Sequence, residues 1–281
     1  MKNVQRRKPY TAFFDLGEAP VAAPTVTLFH EWGDQVGGTL TSTLDSGNIY
    51  KVDLTSSHTE SSGVLKLKWS YMVGSSVRTQ NSFINIYTPY IDDLTFFDRH
   101  PETETEWGDR FAELELKTRN IINTYCGQEF DIKINKTLSL DGNGSKTLFL
   151  PVRIDSVASV MASASSIGGT SSTDVTDYVE IHPESHFFLR SKAGQQFSED
   201  ATFSICGNWG WGYVPQNVTD AADYIIVDLM NDDSAYRQHG VTKARVDTHE
   251  LTFSDSIFGS TGNIDADVLL MDYTLYFLTM I

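Results

Sequence analysis

Cysteine is nearly missing from this chain of 281 residues. Cys126 and Cys206 stand 80 positions apart, with no C-x-x-C pair and no metal-type spacing. A disulfide framework and a cysteine-built zinc site are therefore not expected, and both thiols read as small buried side chains. Basic residues are also scarce: 21 Lys and Arg against 37 Asp and Glu give a net charge of −16. That balance argues against a nucleic-acid binder of the usual kind, because phosphate contacts need clustered cations. The one basic cluster is MKNVQRRK at the start, followed by PYTAFFDLGEAP rather than the apolar stretch of a signal peptide. Long apolar runs are absent. The best, VLLMDYTLYFLTMI (268–281), is too short to span a bilayer and carries Asp272, so no membrane association is expected. There is no P-loop, no G-x-S-x-G and no dinucleotide fingerprint, so neither an enzyme nor a bound cofactor is expected.

What is present is an ordinary core-forming composition, 40% hydrophobic and 21% charged. After an N-terminal arm (1–20), residues 21–90 alternate like strands. PTVTLFH, GTLTSTL, NIYKVDL, GVLKLKWSYMV and SFINIYTPY are separated by turn clusters such as DSGN and SSHTESSG. In GVLKLKWSYMV the residues Leu65, Leu67, Trp69 and Tyr71 share one face, with Lys66, Lys68 and Ser70 on the other. Strands at this spacing predict a small immunoglobulin-like β-sandwich. An acidic stretch with a proline (91–103) reads as a linker. Trp107, Phe111, Leu114, Thr118, Ile121, Ile122 and Tyr125 then fall at helical spacing, predicting one helix over 104–126 with Thr103 or Thr105 as its cap and Gly127 as its stop.

KTLSLDGNGSKTLFLP (136–151) reads as a hairpin, Leu138 and Leu140 on one arm and Leu148 and Leu150 on the other, with DGNG as the turn. IDSVASVMAS, YVEIHP, HFFLRS and ATFSIC read as strands, and SIGGTSSTD as a loop. GNWGWGYVPQ (207–216) leads into a second amphipathic helix, 215–231, carrying Val218, Ala221, Ala222, Ile225, Ile226 and Leu229 on one face and Pro215 at its start. The tail DADVLLMDYTLYFLTMI is apolar and β-prone. The fold class expected is α+β: an N-terminal β-sandwich followed by a helical domain (104–250) with an inserted β-hairpin region, then a tail (251–281).

Three phrases occur in order: INTYCGQEF at a helix end, LSLDGNGSKTLFLPVRIDSVASV, and SICGNWGWGYVPQNVTDAADYII. Their sequence resembles the head–tail connector (adaptor) family of tailed bacteriophages over roughly residues 91–250. The matching residues are Tyr125, Cys126, Gly127 and Phe130; Asp141, Gly142, Gly144, Ser145, Leu148, Leu150 and Pro151; Ile154, Ser156, Val157, Ser159 and Val160; and Gly207, Trp209, Gly210, Trp211, Val214, Pro215 and Val218. The resemblance implies a mostly helical neck protein of the virion. Such a protein forms a ring of twelve copies, binds the portal protein, meets a tail or tail-terminator protein and extends a channel through which DNA passes without sequence-specific binding. Standing between the strand ATFSIC and the second helix, Trp209, Trp211 and Pro215 read as a structural corner, or, in such a ring, as a subunit interface. Asp109, Arg110, Arg119, Asp228 and Arg237 become candidates for an inter-subunit rim. Val268, Leu269, Leu270, Tyr273, Leu275, Tyr276 and Phe277 become a candidate portal-docking tail. The chain departs from the simplest members by its extra N-terminal β domain and its apolar tail.

Other constellations are weaker. His182, Glu184 and His186 suit a metal only on a helix, and Pro183 argues for a solvated loop. DGNGSK departs from a calcium loop at Lys146 and Val152. The alternative function is a β-rich virion protein that binds carbohydrate by stacking sugars on exposed Trp69, Trp209 or Trp211.

Overall fold

Period-two alternation governs the first compact unit of this chain, and helical spacing much of the second. The computed structural model describes residues 1–166, 169–192, 194–230, 243–246, 249–252 and 261–275. Together they form a mixed α+β architecture with several sheets and two groups of helices. The chain divides into two compact units, Met1–Thr88 with Asp131–Gly212, and Pro89–Phe130 with Tyr213–Ile281.

The first unit opens with eight strands: β1 (Lys2–Gln5), β2 (Tyr10–Asp15), β3 (Thr25–His30), β4 (Gln35–Thr41), β5 (Thr43–Ser46), β6 (Ile49–Leu54), β7 (Gly63–Val73) and β8 (Ser76–Tyr87). They make a five-stranded sheet in the order β1-β8-β7-β3-β4 and a three-stranded sheet β2-β6-β5. The inward faces share one core: Val26, Leu28, Leu65, Leu67, Trp69 and Ile86 from one sheet, Ala12, Val52 and Leu54 from the other. Trp69 is fully buried, stacks on Phe14 at 5.4 Å and donates its indole N–H to Ser82. The first twenty residues are not a free arm. Val4 and Leu16 are buried in this core, and β1 pairs in parallel with β8.

Seven further strands complete the first unit: β9 (Ile132–Asp141), β10 (Thr147–Phe149), β11 (Ile154–Ser166), β12 (Gly169–Asp174), β13 (Val179–His182), β14 (Ser185–Ser191) and β15 (Ala201–Gly210). A four-stranded sheet, β12-β11-β15-β9, and a three-stranded sheet, β10-β14-β13, enclose a second core of Leu148, Leu150, Ile154, Val160, Leu189, Ile205 and Trp209. The segment 131–212, expected inside a helical domain, is thus a β-sandwich. The expected hairpin over 136–151 does not form. Leu138 pairs with Ile205 in one sheet, while Leu148 pairs with Leu189 in the other. The cause is the DGNGS loop. Gly142 N–H bonds Ala201 C=O and Gly144 N–H bonds Phe197 C=O, so the loop is held by the 197–201 segment and the chain changes sheets. The Gly/Ser/Thr stretch expected as a loop supplies β12, paired antiparallel with β11.

The second unit is mainly helical, with α1 (Asp93–Arg99), α2 (Glu104–Trp107), α3 (Phe111–Cys126), α4 (Gln216–Met230) and α5 (Ile264–Leu270); two short strands, β16 (Lys243–Val246) and β17 (His249–Thr252), pair antiparallel. The expected linker holds α1. Asp92 caps it by accepting from Thr95 N–H at 2.9 Å, and Phe96 buries completely. The single helix expected over 104–126 is broken by a 3-10 turn at Gly108–Arg110, where glycine weakens the helix. Thr103 does not cap it; its hydroxyl donates to His100 C=O. Gly127 ends α3 in the left-handed region (φ +66°), as its position predicts. The tail forms α5 rather than a strand, capped by Asn263, whose side chain accepts from Ala266 N–H. Among the described residues, no helix is long and apolar enough to cross a membrane.

Candidate functional site

The GNWGWG phrase begins inside β15, between β11 and β9. Trp209 points into the second β-core, is fully buried and donates its indole N–H to Lys136 C=O at 2.8 Å. Its glycines are required by close backbone approach. A Cβ on Gly207 would stand 2.3 Å from Ser156 O, and one on Gly210 (φ +104°) would stand 1.9 Å from Asp131 O. The register of β15 against β9 slips between Gly207 and Trp209, and β11 bulges against β15 on either side of Ser156 and Val157.

Trp211 lies beyond the strand end and is half-buried. The Arg153 guanidinium sits 4.2 Å from its ring centre, a cation–π contact. Arg153 also donates to Gly210 C=O at 2.7 Å, while Gly210 N–H donates back to Arg153 C=O. Arg153 is the central residue of this corner, and sequence reasoning passed over it. Its one signal was a lone cation in the apolar phrase LPVRI. The chain enters the second unit after Gly212. There Pro215 lies just before α4, its carbonyl accepting from Thr219 N–H.

Trp69 and Trp209 present no face to solvent for sugar stacking, while the half-buried Trp211 has the Arg153 guanidinium over its ring. His186 Nδ1 lies 2.7 Å from Ile154 O, and His182 Nδ1 accepts from Glu184 N–H in the β13–β14 turn. The DGNGS loop is an Asx turn, Ser145 N–H donating to Asn143 Oδ1. Among the described residues, no three His, Cys, Asp or Glu side chains are grouped to hold a metal. A cavity of about 160 Å³ in the first unit is lined by His30, Asp34, Gln35, Glu60, Ser61 and Asn135. Burial holds the His30 imidazole below its ordinary pKa despite Asp34 and Glu31 nearby.

The rim candidates separate. Asp109 and Arg110 are exposed, with Arg110 over the Trp107 ring at 4.8 Å. Arg119 is not a surface residue: it is buried, 4.5 Å from the Tyr90 ring centre. Asp228 accepts from Asn263 at 2.6 Å, tying α4 to the start of α5. Arg237 lies outside the described residues. One charged contact in this unit was not expected: Arg99 bridges Asp220 and Asp223 at 3.1 and 3.2 Å, and His100 meets Asp223 at 3.0 Å, so α1 grips the first turns of α4.

The tail candidates also separate. Leu270 is buried, and Leu269, Tyr273 and Leu275 are half-buried. Tyr273 packs edge-on against Phe130, and Leu275 N–H donates to Cys126 C=O. Val268 faces solvent. Tyr276 and Phe277 lie outside the described residues.

No protein-family profile matches the chain, and no curated protein matches it. Among solved structures, the neck of an empty GTA particle computed with C6 symmetry is similar at 11% identity and TM-score 0.34, over 62% of this chain and 83% of that one. A candidate glycoside hydrolase from Bacteroides vulgatus ATCC 8482 is similar at 11% identity and TM-score 0.23, over 32% of this chain and 17% of that one. Scores of this size do not establish a shared fold.

Proposed function

We propose that this chain is a structural neck protein of a tailed phage virion. In this reading it is a head–tail adaptor that assembles as a ring, binds the portal protein, meets a tail-side protein and performs no catalysis. It is assembled in the host cytoplasm and resides in the virion. The observation that supports the reading most is the use the fold makes of the three family-like phrases. Gly142, Gly207 and Gly210 are each placed where a side chain would strike backbone oxygen, Trp209 fills a core, and Gly127 and Pro215 bound helices. These phrases are framework for a shape, as expected of a protein whose work lies in its surfaces. The strong negative charge fits a channel lining that repels phosphates and lets DNA slide.

Co-sedimentation with the portal of the same virion tests this. The adaptor reading expects the chain to travel with the portal in a ring stoichiometry. A stable dimer that ignores the portal would remove it.

A further inference from the structure

The five-stranded sheet of the first unit turns a face without carboxylates outward. None of its strands, β1, β3, β4, β7 and β8, contains Asp or Glu, although the chain holds 37 of them. The sheet packed against it, β2-β6-β5, carries Asp15, Asp45 and Asp53. Leu65, Leu67, Trp69 and Tyr71 of β7 point into the core, so Lys66, Lys68 and Ser70 point outward. Strand register sets their neighbours. Lys66 stands between Phe29 of β3 and Phe83 of β8, Lys68 between Thr27 and Asn81, and Ser70 between Thr25 and Thr79. Lys66 Nζ is 4.8 Å from the Phe29 ring centre. Phe83 is 47% exposed, and Lys68 and Asn81 are exposed. Among the described residues, neither Lys66 nor Lys68 has a carboxylate partner. The acids at the margins are engaged elsewhere. Glu31, just past β3, binds Lys133 and lies near Lys136. Glu18 pairs with Arg78 at 2.6 Å, and Asp34, in the β3–β4 turn, adjoins His30 and the cavity.

We infer that this face docks an extended acidic segment of a partner protein, with Asp or Glu on alternate residues. Charge selects the sign: two lysines without carboxylate partners, on a face free of acids, attract an anionic surface and repel a basic one. Spacing selects the form. Lys66 and Lys68 lie about 7 Å apart along β7, and same-side residues of any extended chain repeat at that distance. The side chains around the lysines agree. Thr25, Thr27, Ser70, Thr79 and Asn81 offer hydroxyls and an amide, which suit the free N–H and C=O groups of an extended backbone; a helix spends those groups internally. A nucleic-acid strand is a poorer fit. It needs a longer run of cations and successive stacking rings, and here Lys66 already lies over Phe29. Ion pairs at an exposed face are weak and salt-sensitive, so the contact is a transient one. The inference does not rest on the adaptor reading.

The test is an NMR titration of the full chain at low salt with a synthetic peptide of about ten residues that alternates Glu and Thr. Backbone signals of β3, β7 and β8 around Lys66, Lys68 and Phe83 are expected to move, with Kd of roughly 1 mM or tighter. Lys68→Glu, at an exposed position, and the double variant Lys66→Gln with Lys68→Gln should each weaken binding by roughly tenfold; unchanged circular dichroism checks that they fold. Lys192→Gln removes one positive charge from a different sheet and should leave binding unchanged. Signals that do not move, or move elsewhere on the chain, would overturn the inference. So would variants that bind as wild type does, or a loss in Lys192→Gln equal to that in the others, which would show that net charge alone is read. Equal or tighter binding of a helical peptide of the same charge or of oligodeoxythymidylate, or self-association that Lys68→Glu abolishes, would assign the face to another occupant and overturn it too.

Discussion

The α-carbon of Gly210 is held so close to Asp131 that a methyl group there would stand 1.9 Å from the Asp131 carbonyl oxygen. Gly142 meets Ser198 O at the same distance. Gly210→Ala and Gly142→Ala are each expected to destabilise by roughly 2–4 kcal/mol, from displaced backbone and, at Gly210, a left-handed φ. Gly38→Ala, with nothing within 4 Å, is the control and should change stability by less than about 0.5 kcal/mol. Urea-unfolding midpoints measure all three. Equal, small losses would show that these close approaches relax easily.

Trp209 and Trp211 should behave as different kinds of residue. Trp209→Ala empties a core position and is expected to cost about 3–5 kcal/mol. Trp211→Ala removes a partly exposed ring and its Arg153 contact, for roughly 1 kcal/mol. Tryptophan emission is expected to be unmoved by a panel of saccharides. A saturable shift that Trp211→Ala abolishes would restore the carbohydrate reading.

The grip of α1 on α4 gives a salt-sensitive term. Arg99 and Asp223 are both partly exposed, so a double-mutant cycle should return a coupling of only about 0.5–1 kcal/mol, falling as salt rises. A coupling indifferent to salt would point to packing among Phe96, Phe97 and Phe111 instead.

The Cys126 thiol should be inert. Burial, with the charge of Asp267 added, pushes its pKa up to about 12, so almost no thiolate exists near neutrality. Mass spectrometry after iodoacetamide treatment at pH 8 should find Cys126 unmodified in the native chain and alkylated once urea unfolds it. Rapid native alkylation would show that the end of α3 opens.

His30 predicts a pH dependence. Burial lowers its folded pKa below the ordinary 6.5, so the unfolded chain binds more protons. The stability it contributes is full above about 6.5 and is lost as pH falls through that value toward the folded pKa. Glu31 is also lowered: burial opposes ionisation, but the hydrogen bond and charge of Lys133 outweigh it, and its loss begins near 4.5. Between pH 7.5 and 5.5 the wild type should therefore lose more stability than His30→Gln. An equal loss would place the titration elsewhere.

Much of the first sandwich was legible because half-buried strands write their period into the sequence. Leu65, Leu67, Trp69 and Tyr71 are buried as alternation requires. Residues 218–226 were equally plain as a helix. The hairpin at 136–151 misled because Leu138, Leu140, Leu148 and Leu150 all face one core, but from opposite sheets, and periodicity does not say which sheet a strand joins. α5 was hidden by β-prone residues, although Asn263 followed by Asp265 and Asp267 is a helix start. α1 was hidden by acidity, although Asp92 and Thr95 had the spacing of a cap. Arg153 could not be found from one chain, since its role depends on a tryptophan 58 positions away.

The central claim is that this chain builds the neck of a virion. Electron microscopy of the purified chain mixed with its portal addresses it directly. The account predicts a ring of copies of this chain coaxial with the portal and stacked on one end. Particles showing a bare portal beside free chain, at concentrations well above those of assembly, would contradict it.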